Sequence, residues 1–200
     1  MTQHHREVEP VSTNLRHTAE EAAAVVAALG ELEPDLDRAA GLLIGALRNG
    51  GKALACGNGG SAADAAHFTT ELVVRFEADR AGLPAVSLSS HGGDLTAIGN
   101  DLDFERVFAR QVEALGRPGD VLLAMSTSGQ SPNVVAGLRR AKELGLATIA
   151  LLGRDGGACQ GLADVELIVA HPRTARVQEA HQVLLHALCG AVDRAFASKG

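Results

Sequence analysis

Five short apolar runs, Lys52–Cys56, Pro84–Leu88, Val121–Met125, Ala147–Leu152 and Val165–Val169, alternate with stretches that carry the 3.6-residue period of helices. Strand-helix alternation confines the chain to an α/β class, because parallel strands need a crossover between them and the crossover is usually helical. The pattern predicts a three-layer αβα sandwich around a five-stranded parallel sheet. Covering helices are predicted over Ser61–Phe76, about Phe104–Leu115, Pro132–Leu144 and Arg176 to about Phe196. Two further helices precede the first strand. One spans Asn14–Leu29, and the second follows Gly30 and Pro34 and ends near Arg48, at Asn49-Gly50-Gly51. An appendage of this kind suits packing against another subunit. Residues 1–12 are polar and aperiodic and are expected to fray. No repeat or linker divides residues 1–200, so a single domain is expected, with residues 14–48 as its N-terminal helices.

Charge and cysteine usage exclude several function classes. The net charge of −6 offers no basic footprint for a nucleic-acid backbone. No apolar run reaches the roughly 18 residues of a membrane span, and the polar start lacks the core of a signal peptide, so a cytoplasmic location is expected. Cys56, Cys159 and Cys189 are odd in number and contain no Cys-x-x-Cys pair, which favours reduced thiols over a disulfide framework or a zinc ribbon.

Two loops follow apolar runs and open helices, where ligands of parallel sheets collect. The first is Gly57-Asn58-Gly59-Gly60-Ser61-Ala62-Ala63-Asp64, with Ser61 and Asp64 spaced as an N-cap and a capping-box acid. The second is Ser126-Thr127-Ser128-Gly129-Gln130-Ser131-Pro132, where Ser131 is placed to cap a helix whose first residue is Pro132. Hydroxyls and free amides at the positive end of a helix favour a phosphate without any lysine. Gly57-x-Gly59-x-x-Ala62 also meets a loose dinucleotide-binding fingerprint, but the next apolar run ends in Ser89-Ser90 rather than in the acid that would hold a ribose.

His67 and Glu71 are four residues apart on the helix that the first loop launches, so they share a face. They can grip one ion or substrate, or form an ordinary surface pair. In the last helix Glu179 and His186 are nearly in phase, while Gln178 and His186 differ by about 80°, so spacing alone does not choose a ligand set. His181 lies well around that helix from His186 and reads as a packed or exposed histidine. His171 precedes Pro172 without a clear partner. Arg75, four residues beyond Glu71, reads as an exposed helix arginine or a contact to a phosphate.

Taken together, the first loop, His67-Phe68-Thr69-Thr70-Glu71-Leu72, Ala97-Ile98-Gly99-Asn100-Asp101, the second loop, and Val177-Gln178-Glu179-Ala180-His181 with His186 resemble the sugar isomerase (SIS) family, in particular its phosphoheptose isomerases. The resemblance covers nearly the whole chain. It implies a flavodoxin-like SIS fold and a zinc ion, one per subunit, held by His67, Glu71, Gln178 and His186. It implies substrate contacts at Asn58, Gly59, Gly60, Glu71, Asn100, Asp101, Ser126, Thr127, Ser128, Ser131 and Gln178, with the Ser/Thr loop taking the phosphate. The implied reaction converts sedoheptulose 7-phosphate to D-glycero-D-manno-heptose 7-phosphate, with Glu71 as base and His186 as acid. Homotetramers with active sites between subunits are also implied. Two other readings share the scaffold: a non-catalytic SIS protein that binds a protein partner, similar to the replication-initiator-associating protein, and an SIS isomerase or sensor for another sugar phosphate.

Overall fold

The computed structural model describes residues 13–197, so the expectation for residues 1–12 falls outside it. Two helices, α1 (Leu15–Ala28) and α2 (Glu33–Arg48), are joined by a 3-10 turn at Leu29–Leu32. The alternating body then runs β1 (Ala53–Gly57), α3 (Gly60–Val73), β2 (Ala85–Ser87), α4 (Gly92–Asp101), α5 (Val107–Leu115), β3 (Val121–Ser126), α6 (Pro132–Glu143), β4 (Ala147–Gly153), β5 (Val165–Val169) and α7 (Thr174–Phe196). All five strands pair in parallel, in the order β2-β1-β3-β4-β5. This is the doubly wound sandwich the alternation predicts, with the flavodoxin-like order.

Strand geometry explains how one sheet feeds two cores. Successive side chains point to opposite faces, so Ala53 and Ala55 of β1 join a core with α2, α3 and α7, while Leu54 and Cys56 face α5 and α6. In β3, Leu123 and Met125 face the first layer and Leu122 and Ala124 the second. Both faces are covered, so these strands are apolar without a polar alternation. Helix α1 packs along α7 yet buries none of its own residues fully, and Leu15 stands 72% exposed.

Two elements differ from what the sequence pattern predicts. Helix α4 has no counterpart in that pattern, because it opens on Gly92-Gly93, buries no residue, and offers only Leu95 and Ile98, three apart, as half-buried contacts. Its amphipathic signal is too weak to stand out. Helix α3 stops at Val73 rather than Phe76, and its last carbonyls turn to partners outside the helix. Among the described residues no helix is long and apolar enough to cross a membrane.

Leu151 is fully buried in β4, paired in register with Met125 and Leu167. Leu151→Ala should cost about 3 kcal/mol, the sum of lost transfer energy and an unfilled cavity. Urea unfolding should show this as a lower midpoint at an unchanged m-value.

Candidate active site

The crossover from β1 passes through α3 to β2 on one side, and the crossover from β3 passes through α6 to β4 on the other. The carboxyl ends of these two neighbouring strands therefore open onto a crevice, and both predicted loops lie at it. A reciprocal pair of hydrogen bonds ties them together: Asn58 Nδ2 donates to Asn133 Oδ1 at 2.8 Å and Asn133 Nδ2 to Asn58 Oδ1 at 2.9 Å. A cavity of about 350 Å³ lies there, bordered by Asn58, Ser131 and Asn133 and by Asp103, Phe104 and Glu105 beyond α4.

Gly59 adopts φ 55°, ψ −119°, a backbone conformation that side-chain-bearing residues avoid. It, and not Ser61, precedes the first turn of α3, and its carbonyl accepts from the amides of Ala62 and Ala63. Ser61 is buried inside that turn, so the expected serine cap does not form. Asp64 is likewise not a capping-box acid. Its side chain points inward and accepts from Gln182 Nε2 of α7 at 2.6 Å, while its second oxygen, Oδ2, has no partner. Burial raises the Asp64 pKa against the opposing pull of Gln182, Gln178 and His67.

In the second loop Ser131 occupies the predicted position before Pro132, but its hydroxyl turns to Ser126 Oγ at 3.0 Å instead of capping α6. Ser128 Oγ lies 3.5 Å from Ser126 Oγ and accepts from the Gln130 amide at 3.1 Å. Three hydroxyls are thus gathered at the positive end of α6, the arrangement that suits an anion. Thr127 belongs to the same turn, its carbonyl pressed so closely on Gly153 that a Cβ there would collide with it.

The remaining predicted residues meet across 119 positions of sequence. Nε2 of His67 lies 2.9 Å from Nε2 of His186, and Nδ1 of His67 is 3.8 Å from a Glu71 carboxylate oxygen. The Phe76 ring tilts over His186 at 5.3 Å between centroids. Gln178 reaches the glycine loop: a Cβ at Gly60 would strike its amide group, so only glycine leaves the space. His67, Glu71, Gln178 and the two loops thus belong to one region of one chain. Asn100 and Asp101 sit exposed at the end of α4, hydrogen-bonded to each other at 2.7 Å, and make no bond to the other predicted residues.

Among the described residues no group of three His, Cys, Asp or Glu side chains is arranged to hold a metal ion. The two imidazoles face each other through Nε2, whereas Glu71 stands on the Nδ1 side of His67. The donor chemistry nevertheless fits zinc, which takes imidazole nitrogen and carboxylate oxygen in mixed sets. His67, Glu71 and His186 carry donors of that kind, while the Gln178 amide is placed against Gly60.

Other sequence candidates fall elsewhere. His181 is fully buried and its Nε2 donates to Leu152 O at 3.3 Å; burial pulls its pKa down to about 4. His171 lies 3.8 Å from Glu21 of α1. Arg75 is exposed and donates to Glu77 O. All three thiols are free and buried, and burial raises their pKa values, which leaves no thiolate nucleophile among them. Asn133 and the Asp64–Gln182 pair do not stand out in the sequence. Asn133 has a signal, since it follows the Ser-Pro at the helix start directly, but its partner lies in a remote loop.

Known proteins share this fold. The SIS domain profile fits residues 17–153. The chain belongs to the SIS domain family. It is 52% identical over 180 residues to the phosphoheptose isomerase of Laribacter hongkongensis, covering 88% of this chain and 92% of that one. Among solved structures, phosphoheptose isomerase GmhA from Neisseria gonorrhoeae superposes with a TM-score of 0.85 at 45% identity, over 92% of this chain and 100% of that one. A phosphoheptose isomerase from Francisella tularensis gives 0.87 at 37% identity, over 90% and 97%. At this likeness the chain is an enzyme of the isomerase type, which sets aside the non-catalytic SIS reading.

The buried His181 makes a pH prediction. An unfolded histidine binds a proton near pH 6.5, the folded one near pH 4, so between these values the unfolded state holds more protons. Stability contributed by neutral His181 is complete above about pH 6.5 and is lost as pH falls toward 4, at up to about 1.4 kcal/mol per pH unit. Urea stabilities of the wild type and His181→Gln, compared from pH 7 to pH 4.5, should show the wild type losing the larger amount.

Proposed function

We propose that this enzyme interconverts sedoheptulose 7-phosphate and D-glycero-D-manno-heptose 7-phosphate. The observation that carries the reading is the meeting of His67, Glu71 and His186 beside two loops suited to an anion, in a chain about half identical to phosphoheptose isomerases. The Ser126, Ser128 and Ser131 hydroxyls would bind the phosphate with the positive end of α6 behind them. Thr127 would join them through its turn. The glycine loop, with Asn58, Gly59 and Gly60, would approach the sugar closely, and Asn100 and Asp101 would take hydroxyls from the end of α4.

Glu71 would take the proton from C1 of the ketose while His186 protonates the C2 oxygen, giving an enediol. Loss of the proton on the C1 oxygen and delivery of one to C2 then complete the aldose. Gln178 would hold a sugar oxygen in place. His67, Glu71, Gln178 and His186 would hold zinc, one per subunit, which supplies Lewis-acid polarisation of the sugar oxygens. A side chain bound to a cation carries protons less readily, so the ligand and proton-transfer roles of Glu71 and His186 can be separated by experiment.

The proposal includes a homotetramer. His186 is exposed in the single chain, and apolar Val73, Val74, Leu102 and Phe104 around the site stand 48–61% exposed, which suits coverage by a second subunit. The cytoplasm is the proposed location, because a doubly charged phosphate ester does not cross a bilayer unaided.

Incubation with sedoheptulose 7-phosphate and zinc should yield the aldose phosphate, followed by proton NMR. Absence of product, or faster turnover of another sugar phosphate, would defeat the substrate assignment. Glu71→Gln should lower kcat by about 10²–10⁴-fold while leaving the oligomer intact by light scattering. Full activity in chelator, with no zinc by elemental analysis, would remove the metal from the proposal.

A further inference from the structure

We propose that Arg80 and Asp193 are positioning residues for this reaction, clamping the end of α3 to α7 so that Glu71 and His67 are held in place relative to His186. The proposal rests on the isomerase reading of the site. Helix α3 ends without a left-handed glycine after it; Val74, which follows, has φ −92° and ψ −83°. Its last carbonyls therefore need outside donors. Arg80 returns to supply them: Nη2 donates to Glu71 O at 2.6 Å and Nη1 to Leu72 O at 2.9 Å and Ala81 O at 3.1 Å. Its Nε donates to Asp193 Oδ1 of α7 at 2.8 Å. Asp193 Oδ2 in turn accepts from the amides of Glu77 and Ala78, each at 2.7 Å. The one guanidinium thus binds the backbone of Glu71 itself on one side and α7 on the other.

The position of Asp193 on its helix gives the clamp its consequence. It lies seven residues beyond His186, about 20° around the helix, so both project from the same face of α7. The loop that Asp193 anchors also contains Phe76, whose ring covers His186. Fixing Asp193 therefore fixes the imidazole through its helix and through its aromatic neighbour.

Burial argues that geometry is the purpose. The Arg80 side chain is 1% exposed and that of Asp193 5%. A buried ion pair carries a large desolvation cost that a well-packed apolar pair of similar volume avoids, so stability alone is a weak reason to keep one. What an apolar pair cannot supply is a rigid fork that sets the distance between two helices. Burial opposes the charge on Asp193, but the Ala78 and Glu77 amides and Arg80 outweigh it and hold its carboxyl below the usual range.

The test compares full-length wild type, Arg80→Lys, Arg80→Gln and Asp193→Asn by steady-state kinetics, thermal melting and 15N NMR of the histidine rings. Displacing a catalytic pair by about an ångström costs up to about 10²-fold in rate. Folded variants should lose kcat on that scale with a smaller change in KM, and the ring signals of His67 and His186 should no longer carry the signature of adjacent imidazoles. Arg80→Lys keeps the charge without the fork and should remain impaired; it also serves should Arg80→Gln fail to fold. Variants that melt lower but keep wild-type kcat per folded molecule and an unchanged histidine spectrum would overturn the clamp. Should the wild type itself turn over no heptose phosphate, the proposed function fails, and the histidine spectra alone then decide the clamp: rings that stay adjacent in the variants overturn it, and rings that separate support it.

Discussion

The β1–β3 ladder is the constraint from which the site follows. These strands pair from Ala53↔Val121 to Gly57↔Met125 and end side by side, yet their crossovers leave in opposite directions. Two loops rich in glycine and hydroxyls are thereby brought to one crevice, and the Asn58–Asn133 pair locks them together. Moving either strand by one residue would turn its side chains to the other core and carry its loop out of reach. Burial on both faces makes such a slip costly, so the position of an exposed polar site is enforced by the apolar interior beneath it.

Helix α7 is the second organising element. Over 23 residues it presents Gln178 to the glycine loop, Gln182 to Asp64, His186 to His67 and Asp193 to Arg80, while Val177, Leu184, Leu185 and Leu188 fill the core. These polar contacts all reach α3 or the segments on either side of it. The two helices form one unit, with the apolar stripe setting its distance from the sheet and the polar row setting its register.

Much of this is legible in the sequence. Strands β1, β3 and β4 announce themselves as apolar runs because both of their faces are buried, the edge strand β5 through its buried Val165, Leu167 and Val169, and α6 through Ser131-Pro132 because proline fixes its start. The pairing of His67 with Glu71 follows from helical spacing. Illegible are the features that depend on another element: α4, whose face is barely buried; Asp64, whose capping-box spacing conceals a bond to α7; and Arg80 with Asp193, two ordinary charges until the fold brings them together. Residues whose partners are local can be read from spacing, whereas those whose partners are remote need the topology first.

One consequence of α7 concerns synthesis. Gln178 and His186 lie in the final helix, and the core formed with α2 and α3 is closed by the same segment. A nascent chain emerging from the ribosome can therefore pair its strands and shape its glycine loop well before it contains Gln178 and His186. A fragment released before α7 would lack Gln178 and His186 and expose an uncovered apolar sheet face. Quality control by chaperones and proteases would meet such fragments as sticky species.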